Sequence, residues 1–306
     1  MLVIGVVLGA AAISGGLAYL AARRWPEPTV APRLEAPTIT ESIEGRPGLA
    51  TFLARRRDPS ELTGLALTIA LAGIVGGAVG IGLLLTMVKT HRGLADWDLA
   101  FSRFGATHAT QVSTTFLRDV SLLAGYPGVV LIGLVLVALE WRRQRSAALV
   151  AFVVLALGGQ FAIAELVKGL VGRARPDILH LTGFSGSSFP SGHATAAAAM
   201  FMTAALLLGR KRTTRTKAVL AGAAVALAVA VASTRVLLGV HWFTDVLAGL
   251  LLGWAWFAAC SIAFGGRLMR FGAPVEQAET IATAVVDQTD EVPGGDRPAA
   301  GVSNAF

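Results

Sequence analysis

Seven runs of almost unbroken apolar residues, at roughly 2–22, 64–88, 120–140, 146–167, 193–209, 218–238 and 245–264, set the pattern of the chain. Each is close to the roughly 20 residues that a helix needs to cross a bilayer. Inside a membrane the backbone must satisfy its own hydrogen bonds, which leaves helices or closed barrels, and runs this long and uniform are not barrel strands. The pattern predicts an all-α polytopic membrane helix bundle, with a six-helix core over residues 63–266 and one N-terminal transmembrane helix over residues 1–22. The run 64–88 carries Gly64, Gly73, Gly76, Gly77, Gly80 and Gly82. Small residues let membrane helices approach closely, so Gly76-x-x-x-Gly80 marks a packing face.

The polar stretches divide the chain further. No Lys or Arg precedes Arg23, and no small-x-small cleavage site is visible before Arg23 and Arg24. Residues 2–22 therefore read as a retained helix with its N-terminus outside, and not as a secretory signal. Residues 23–62, with Pro26, Pro28, Pro32, Pro37 and Pro47, read as a Pro-rich cytoplasmic linker. Residues 267–306 mix Pro, Gly and acidic residues and read as a disordered cytoplasmic tail. Leu94, Trp97, Phe101 and Phe104 recur at helical spacing with Asp96, Asp98 and Arg103 between them. That predicts one amphipathic helix lying in the membrane interface.

Composition agrees with this class: 54% of residues are hydrophobic and 15% charged, against about 25% charged in soluble domains. The net charge of +7 would also suit a nucleic-acid binder, but the Lys and Arg residues gather in short clusters between apolar runs. Fifteen of the 26 lie in the connectors 23–62, 141–145 and 210–217, and Arg267, Arg270 and Arg297 lie in the tail. Basic connectors face the cytoplasm, which assigns 89–119, 168–192 and 239–244 to the outer face. The single cysteine, Cys260, has no intramolecular disulfide partner.

Three chemical clusters fall on that outer face. Lys168 closes one span and Arg175 follows seven residues later, two helical turns, so both cations can point the same way, with Pro176 ending the helix at or before Arg175. Alone, this would be a snorkelling lysine with a basic flank. Pro190-Ser191-Gly192-His193 opens the next span. There Ser191 suits an N-cap, Gly192 permits close backbone approach, and the helix N-terminus favours an anion beside His193. Thr234-Arg235 closes a further span, where an unpaired charge is costly and usually functional, and His241 and Asp245 follow four apart. A helix that includes His241 would put Asp245 on the same face, and a later start would leave Asp245 able to reach from the helix end. Either way the carboxylate can fix the tautomer of the imidazole. Three cations, a helix N-terminus and two histidines, one beside a carboxylate, are the parts that phosphoryl transfer requires. No Asp/Glu/His metal cage is visible in the outer segments, so no metal or other cofactor is expected, and the cations take the place of Mg²⁺.

In order and spacing these residues resemble the type 2 phosphatidic acid phosphatase family, whose fold is shared with vanadium haloperoxidases. The family pattern is Lys-x6-Arg-Pro, Pro-Ser-Gly-His and Ser-Arg-x5-His-x3-Asp. The chain matches it over residues 168–245, with Thr234 in place of the usual Ser. The resemblance implies that His241 is the nucleophile, oriented by Asp245, and that His193 is the general acid. It also implies that Lys168, Arg175 and Arg235 bind phosphate, with the backbone of Ser191 and Gly192. Arg173, Glu165, Gln160, His180, His91 and His108 lie outside the pattern and read as structural or surface residues.

The expected function is a multi-pass cell-membrane phosphatase with an extracytoplasmic active site, acting on undecaprenyl diphosphate, phosphatidate or phosphatidylglycerol phosphate. Its expected partners are the lipid phosphate substrate and the bilayer, with no nucleic acid and no obligatory protein partner. A lipid phosphotransferase would use the same chemistry with another acceptor. A non-catalytic lipid-binding or transport protein would have no need of the full motif set.

Overall fold

The computed structural model describes residues 1–24, 62–210 and 212–268. Among them it is all-helical. The helices are α1 (Leu2–Arg23), α2 (Leu62–Thr90), α3 (Asp98–Thr107, entered by a 3-10 turn at Gly93–Trp97), α4 (Gln111–Leu122), α5 (Tyr126–Gln144), α6 (Ala147–Val171), α7 (Gly192–Gly209), α8 (Thr214–Leu237) and α9 (Phe243–Leu268). The chain divides into two units, Met1–Phe264 and Gly265–Phe306. Apart from its edges, the linker read at 23–62 falls outside the described residues, as does the tail read at 267–306.

Among the described residues six helices are long and apolar enough to cross a membrane: α1, α2, α6, α7, α8 and α9. The single span expected at 120–140 is instead a bent pair, α4 and α5, which makes a seventh crossing if counted as one, with a bend of 44°. The cause is local. Gly125 is the N-cap of α5 and Pro127 occupies its first turn, where proline suits a helix start and cannot continue a preceding helix.

Three other expectations at element level change. The helix carrying Lys168 stops at Val171, where Gly172 adopts a left-handed conformation (φ 62°) that glycine accepts without strain. Arg175 therefore comes from a loop and not from the same helical face as Lys168. The amphipathic segment at 94–104 is split between the 3-10 turn and α3, and Asp98, read as part of its polar face, is buried. Of the Gly76–Gly80 face, only Gly80 packs closely: a Cβ there would lie 2.9 Å from Leu251, and one on Gly77 3.1 Å from Ala255, while Gly76 faces open space.

The helix α1 lies along α8. Its buried residues Val3, Val7, Ala11 and Gly15 recur every four positions on one face. A Cβ on Gly15 would meet the Gly222 carbonyl oxygen at 2.7 Å, a close approach of the kind small residues allow. Val3 and Val7 cluster with Leu117, Leu237, Leu238 and Val240. The start of α1 thus shares one end of the bundle with the end of α8 and the start of α9. At the other end, the buried carboxylate of Glu140 on α5 pairs with Arg143 at 3.2 Å and with Arg210, beyond α7, at 3.5 Å. Arg143 and Arg210, from two of the basic connectors, and the motif-bearing loops therefore lie at opposite ends of the helices that join them.

Candidate active site

Lys168, Arg175, Gly192, His193, Arg235 and His241 line one cavity of about 380 Å³ at the motif-bearing end of the bundle. Gly125, Tyr126, Phe161, Glu165 and Phe184 are also in its wall, and Tyr126 stacks on Phe161 with ring centres 4.6 Å apart. Five segments meet here: the junction of α4 and α5, the end of α6, the 172–191 loop, the start of α7, and the end of α8 with its turn into α9.

The turn after α8 delivers His241. Gly239 takes φ 75°, and the amides of Val240 and His241 both donate to the Arg235 carbonyl at 3.3 and 3.2 Å. α9 then begins at Phe243, later than His241, so Asp245 sits in its first turn. Its Oδ2 accepts hydrogen bonds from the Trp242 amide at 2.9 Å and from the Ser188 hydroxyl, and lies 3.5 Å from His241 Nδ1. The opposite ring nitrogen, Nε2, lies 3.2 Å from Arg175 Nη1. An arginine only donates, so Nε2 carries the lone pair and Nδ1 the proton that faces Asp245. His241 is 3% exposed. Burial pushes its imidazole down to about 4, with Asp245 pulling the other way and Arg175 and Arg235 adding to the depression. The ring is neutral at neutral pH.

Arg175 is held by its own loop and by the turn after α8. Its Nε donates to Gly186 O at 3.1 Å, Nη2 to Ser185 O at 2.7 Å and Ser187 O at 3.3 Å, and Nη1 to Val240 O at 2.6 Å. Burial lowers its affinity for the proton, and Asp245 opposes that. Arginine stays charged in any protein setting. One of its five N–H groups is thus aimed at His241 Nε2. Arg235, 5% exposed, donates through Nη1 to Ser121 at 2.7 Å. Lys168 pairs with Glu165 at 2.6 Å, and its Nζ lies 3.4 Å from where a Cβ on Gly192 would stand. A side chain at position 192 would therefore crowd the ammonium group.

Ser191 occupies the N-cap position of α7, as expected, but its hydroxyl makes no cap bond and is buried without a hydrogen-bond partner among the described residues. Its backbone ties the two halves of the site: the Ser191 amide donates to the Asp245 carbonyl at 3.0 Å. His193 stands one residue into α7 and faces Gly125, where a Cβ would lie 3.7 Å from its Nε2. Thr234, the departure from the motif, turns its hydroxyl onto Val231 O at 2.7 Å in its own helix. It does not line the cavity.

Sequence reading left Arg173 among structural or surface residues, and its geometry is more particular than that. Nη1 donates to Asp245 Oδ1 at 2.6 Å and to Thr244 Oγ1 at 2.8 Å, and Nη2 donates to Asp98 Oδ2 at 2.7 Å. Asp98 in turn accepts from the Thr244 amide at 2.8 Å. Asp98 precedes Thr244 by 146 positions, and no short-range pattern joins them. Glu165 is the other unassigned residue that reaches the cavity, through its pair with Lys168.

Two histidines in unlike surroundings, three cations and a helix N-terminus thus surround one cavity. Residues 147–268 match the model of the PAP2 superfamily. The chain is 42% identical over 106 residues to the lipid A 1-phosphatase of Rhizobium johnstonii, a match covering 31% of this chain and 39% of that protein. It is 41% identical over 110 residues to the decaprenylphosphoryl-5-phosphoribose phosphatase of Mycobacterium tuberculosis, covering 35% of this chain and 56% of that protein. The chain thus spans 39% to 56% of these curated relatives. In fold it is similar to the crystal structure of the first transmembrane PAP2 type phosphatidylglycerolphosphate phosphatase, from Bacillus subtilis. The TM-score is 0.58 at 24% identity, over 63% of this chain and 96% of that one. The matched residues 147–268 carry all the site residues named from the sequence, and the similarity of this multi-pass membrane chain to the PAP2 superfamily lies in that part.

Proposed function

We propose that the protein is a membrane phosphatase that hydrolyses a lipid phosphate or diphosphate through a phosphohistidine on His241, at the extracytoplasmic face of the cell membrane. The observation that carries this reading is the setting of His241: Nδ1 toward Asp245, Nε2 toward the cavity and 3.2 Å from a guanidinium N–H. When a phosphoryl group enters, one of its oxygens takes over that Arg175 N–H and frees the Nε2 lone pair. Lys168 and Arg235 share the remaining negative charge, which is where a pre-organised site lowers the barrier most. Nε2 bonds to phosphorus while the bond to the leaving oxygen breaks, and His193 supplies that oxygen's proton. Water then attacks the phosphohistidine with His193 as base, the P–N bond breaks, and His241 and free phosphate are regenerated. The relatives named above act on phosphate groups of lipids, which supports a lipid phosphate as substrate. The extracytoplasmic assignment is supported by the basic residues at the opposite end of the bundle.

Full-length protein purified in detergent, given phosphatidate, phosphatidylglycerol phosphate and undecaprenyl diphosphate in turn, should release inorganic phosphate from at least one. Release from none of them, by protein shown to be folded, would overturn the reading.

A further inference from the structure

Three candidates outside the reacting groups stand out. The basic pocket at the far end, lined by Glu140, Arg143, Gln144, Arg210 and Arg212, is already satisfied in part by its own carboxylate and is explained by membrane orientation. Glu165 sits at the cavity mouth but is exposed and held by Lys168 alone. The third is the buried pair of carboxylates, Asp98 and Asp245, bridged by Arg173.

Asp245 must present one oxygen to His241 Nδ1. A lone carboxylate can rotate about its Cβ–Cγ bond, and a helix N-terminus offers it competing donors. Here both oxygens are fixed. Oδ1 takes Arg173 Nη1, and Oδ2 takes the Trp242 amide and Ser188. Arg173 is fixed in its turn, because its second nitrogen is held by Asp98, whose other oxygen caps the α9 backbone at Thr244. The planar fork of a guanidinium suits this double engagement, and a lysine ammonium does not. The two carboxylate side chains are 5% and 0% exposed, so neither ion pair is diluted by solvent. Arg173 does not line the substrate cavity.

We propose that Arg173, anchored by Asp98, is a positioning residue for the reaction: it sets the plane of the Asp245 carboxylate and so the aim of His241. The inference rests on the phosphohistidine reading above and adds a member to its machinery that touches no substrate. It also ties the reacting turn to the 3-10/α3 segment, whose Trp97 and Phe101 are exposed.

The test is kinetic, on full-length protein with p-nitrophenyl phosphate, for R173Q, R173K, D98N and R173Q/D98N. A small misplacement of the nucleophile costs about 10²-fold, so R173Q should lower kcat by about that factor while KM stays within about threefold. R173K should recover only part of the loss. The double variant should be no worse than R173Q alone, because the two residues form one device. The charged and titratable groups facing His241 are Asp245 on α9, Arg175 in the 172–191 loop, Arg235 on α8 and His193 on α7, and all stay in place. Losing the Arg173 charge leaves Asp245 acting on His241 unopposed, so the acid limb of kcat/KM should move to higher pH in R173Q. Losing the Asp98 charge should move it to lower pH in D98N. A merely structural role would lower activity without these opposite shifts, and that result would overturn the proposal. So would a raised KM at unchanged kcat, which would make Arg173 a phosphate ligand. If R173Q failed to fold, the D98N shift and the partial activity of R173K decide. The same shifts read by ¹⁵N-histidine NMR of His241 need no turnover. A wild type that released no phosphate would then count against the phosphatase reading, while the NMR result still decides the clamp.

Discussion

At the scale of the residue, the proposed nucleophile His241 is an imidazole held neutral by its surroundings. Burial pushes its imidazole down to about 4 against the pull of Asp245. The sign of the resulting pH dependence follows directly. Above that value the ring is unprotonated and able to attack, and below it the lone pair is lost. The acid limb of kcat/KM, which reports the free enzyme, should lie near pH 4, with no loss attributable to His241 between pH 5 and 7. A limb near 6.5, the ordinary histidine value, would mean that the ring is solvated and not buried as described. The histidines and cations that line the cavity are legible in the sequence because, with the prolines, they stand at fixed short spacings. Arg173 and Asp98 are not. Their partnership spans 75 positions and depends on how α3 packs against the start of α9, which no local pattern encodes. Ser191 sits at the cap, as its place in the motif predicts, with its hydroxyl making no cap bond and its backbone amide bonded to the Asp245 carbonyl.

At the scale of the element, apolar runs located the spans, and punctuation decided where they stop. Gly172 ended α6 before Arg175, and Gly125 with Pro127 broke the run at 120–140 into a bent pair. Hydropathy is blind to both, because it averages over a window longer than the break. The packing of α9 against α7 is equally local. A Cβ on Gly253 would stand 2.3 Å from the Thr195 carbonyl oxygen, and one on Gly249 2.6 Å from that of Ser191. These are backbone atoms at the start of the His193 helix, and they cannot turn aside as a side chain would. Gly253→Ala should therefore force the helices apart at a cost of about 1–3 kcal/mol or more, with His193 displaced from His241. Gly82→Ala, in open space on α2, should be neutral or slightly favourable, since alanine is the better helix former. Thermal unfolding in detergent, measured beside turnover, separates them. Equal behaviour of the two variants would contradict the close α7–α9 packing.

At the scale of the whole molecule, the alternation of basic and motif-bearing connectors matches the two ends of the bundle. The sequence could assign sides only through that charge bias. The arrangement of helices around the cavity came from packing, and so did the contact of α1 along α8. The proposed topology has a direct check. Single cysteines at Leu179, exposed in the 172–191 loop, and at Arg212, at the opposite end, can be introduced with Cys260 replaced by alanine. An impermeant thiol reagent added to intact cells should label position 179 and spare 212. The reverse pattern would turn the molecule over and place the site on the cytoplasmic side.

The central claim is that two histidines share one phosphoryl transfer in unequal roles, and the leaving group separates them most directly. His193→Ala removes only the proton donor, a contribution of roughly 10²–10⁴-fold. A p-nitrophenyl ester, whose leaving group needs little protonation, should recover much of that loss. His241→Ala removes the atom that bonds to phosphorus and should stay inactive on both the activated ester and the natural lipid, with no phosphoenzyme trapped on rapid quench. Recovery of His241→Ala and not of His193→Ala on the activated ester would contradict the assignment and exchange the two roles.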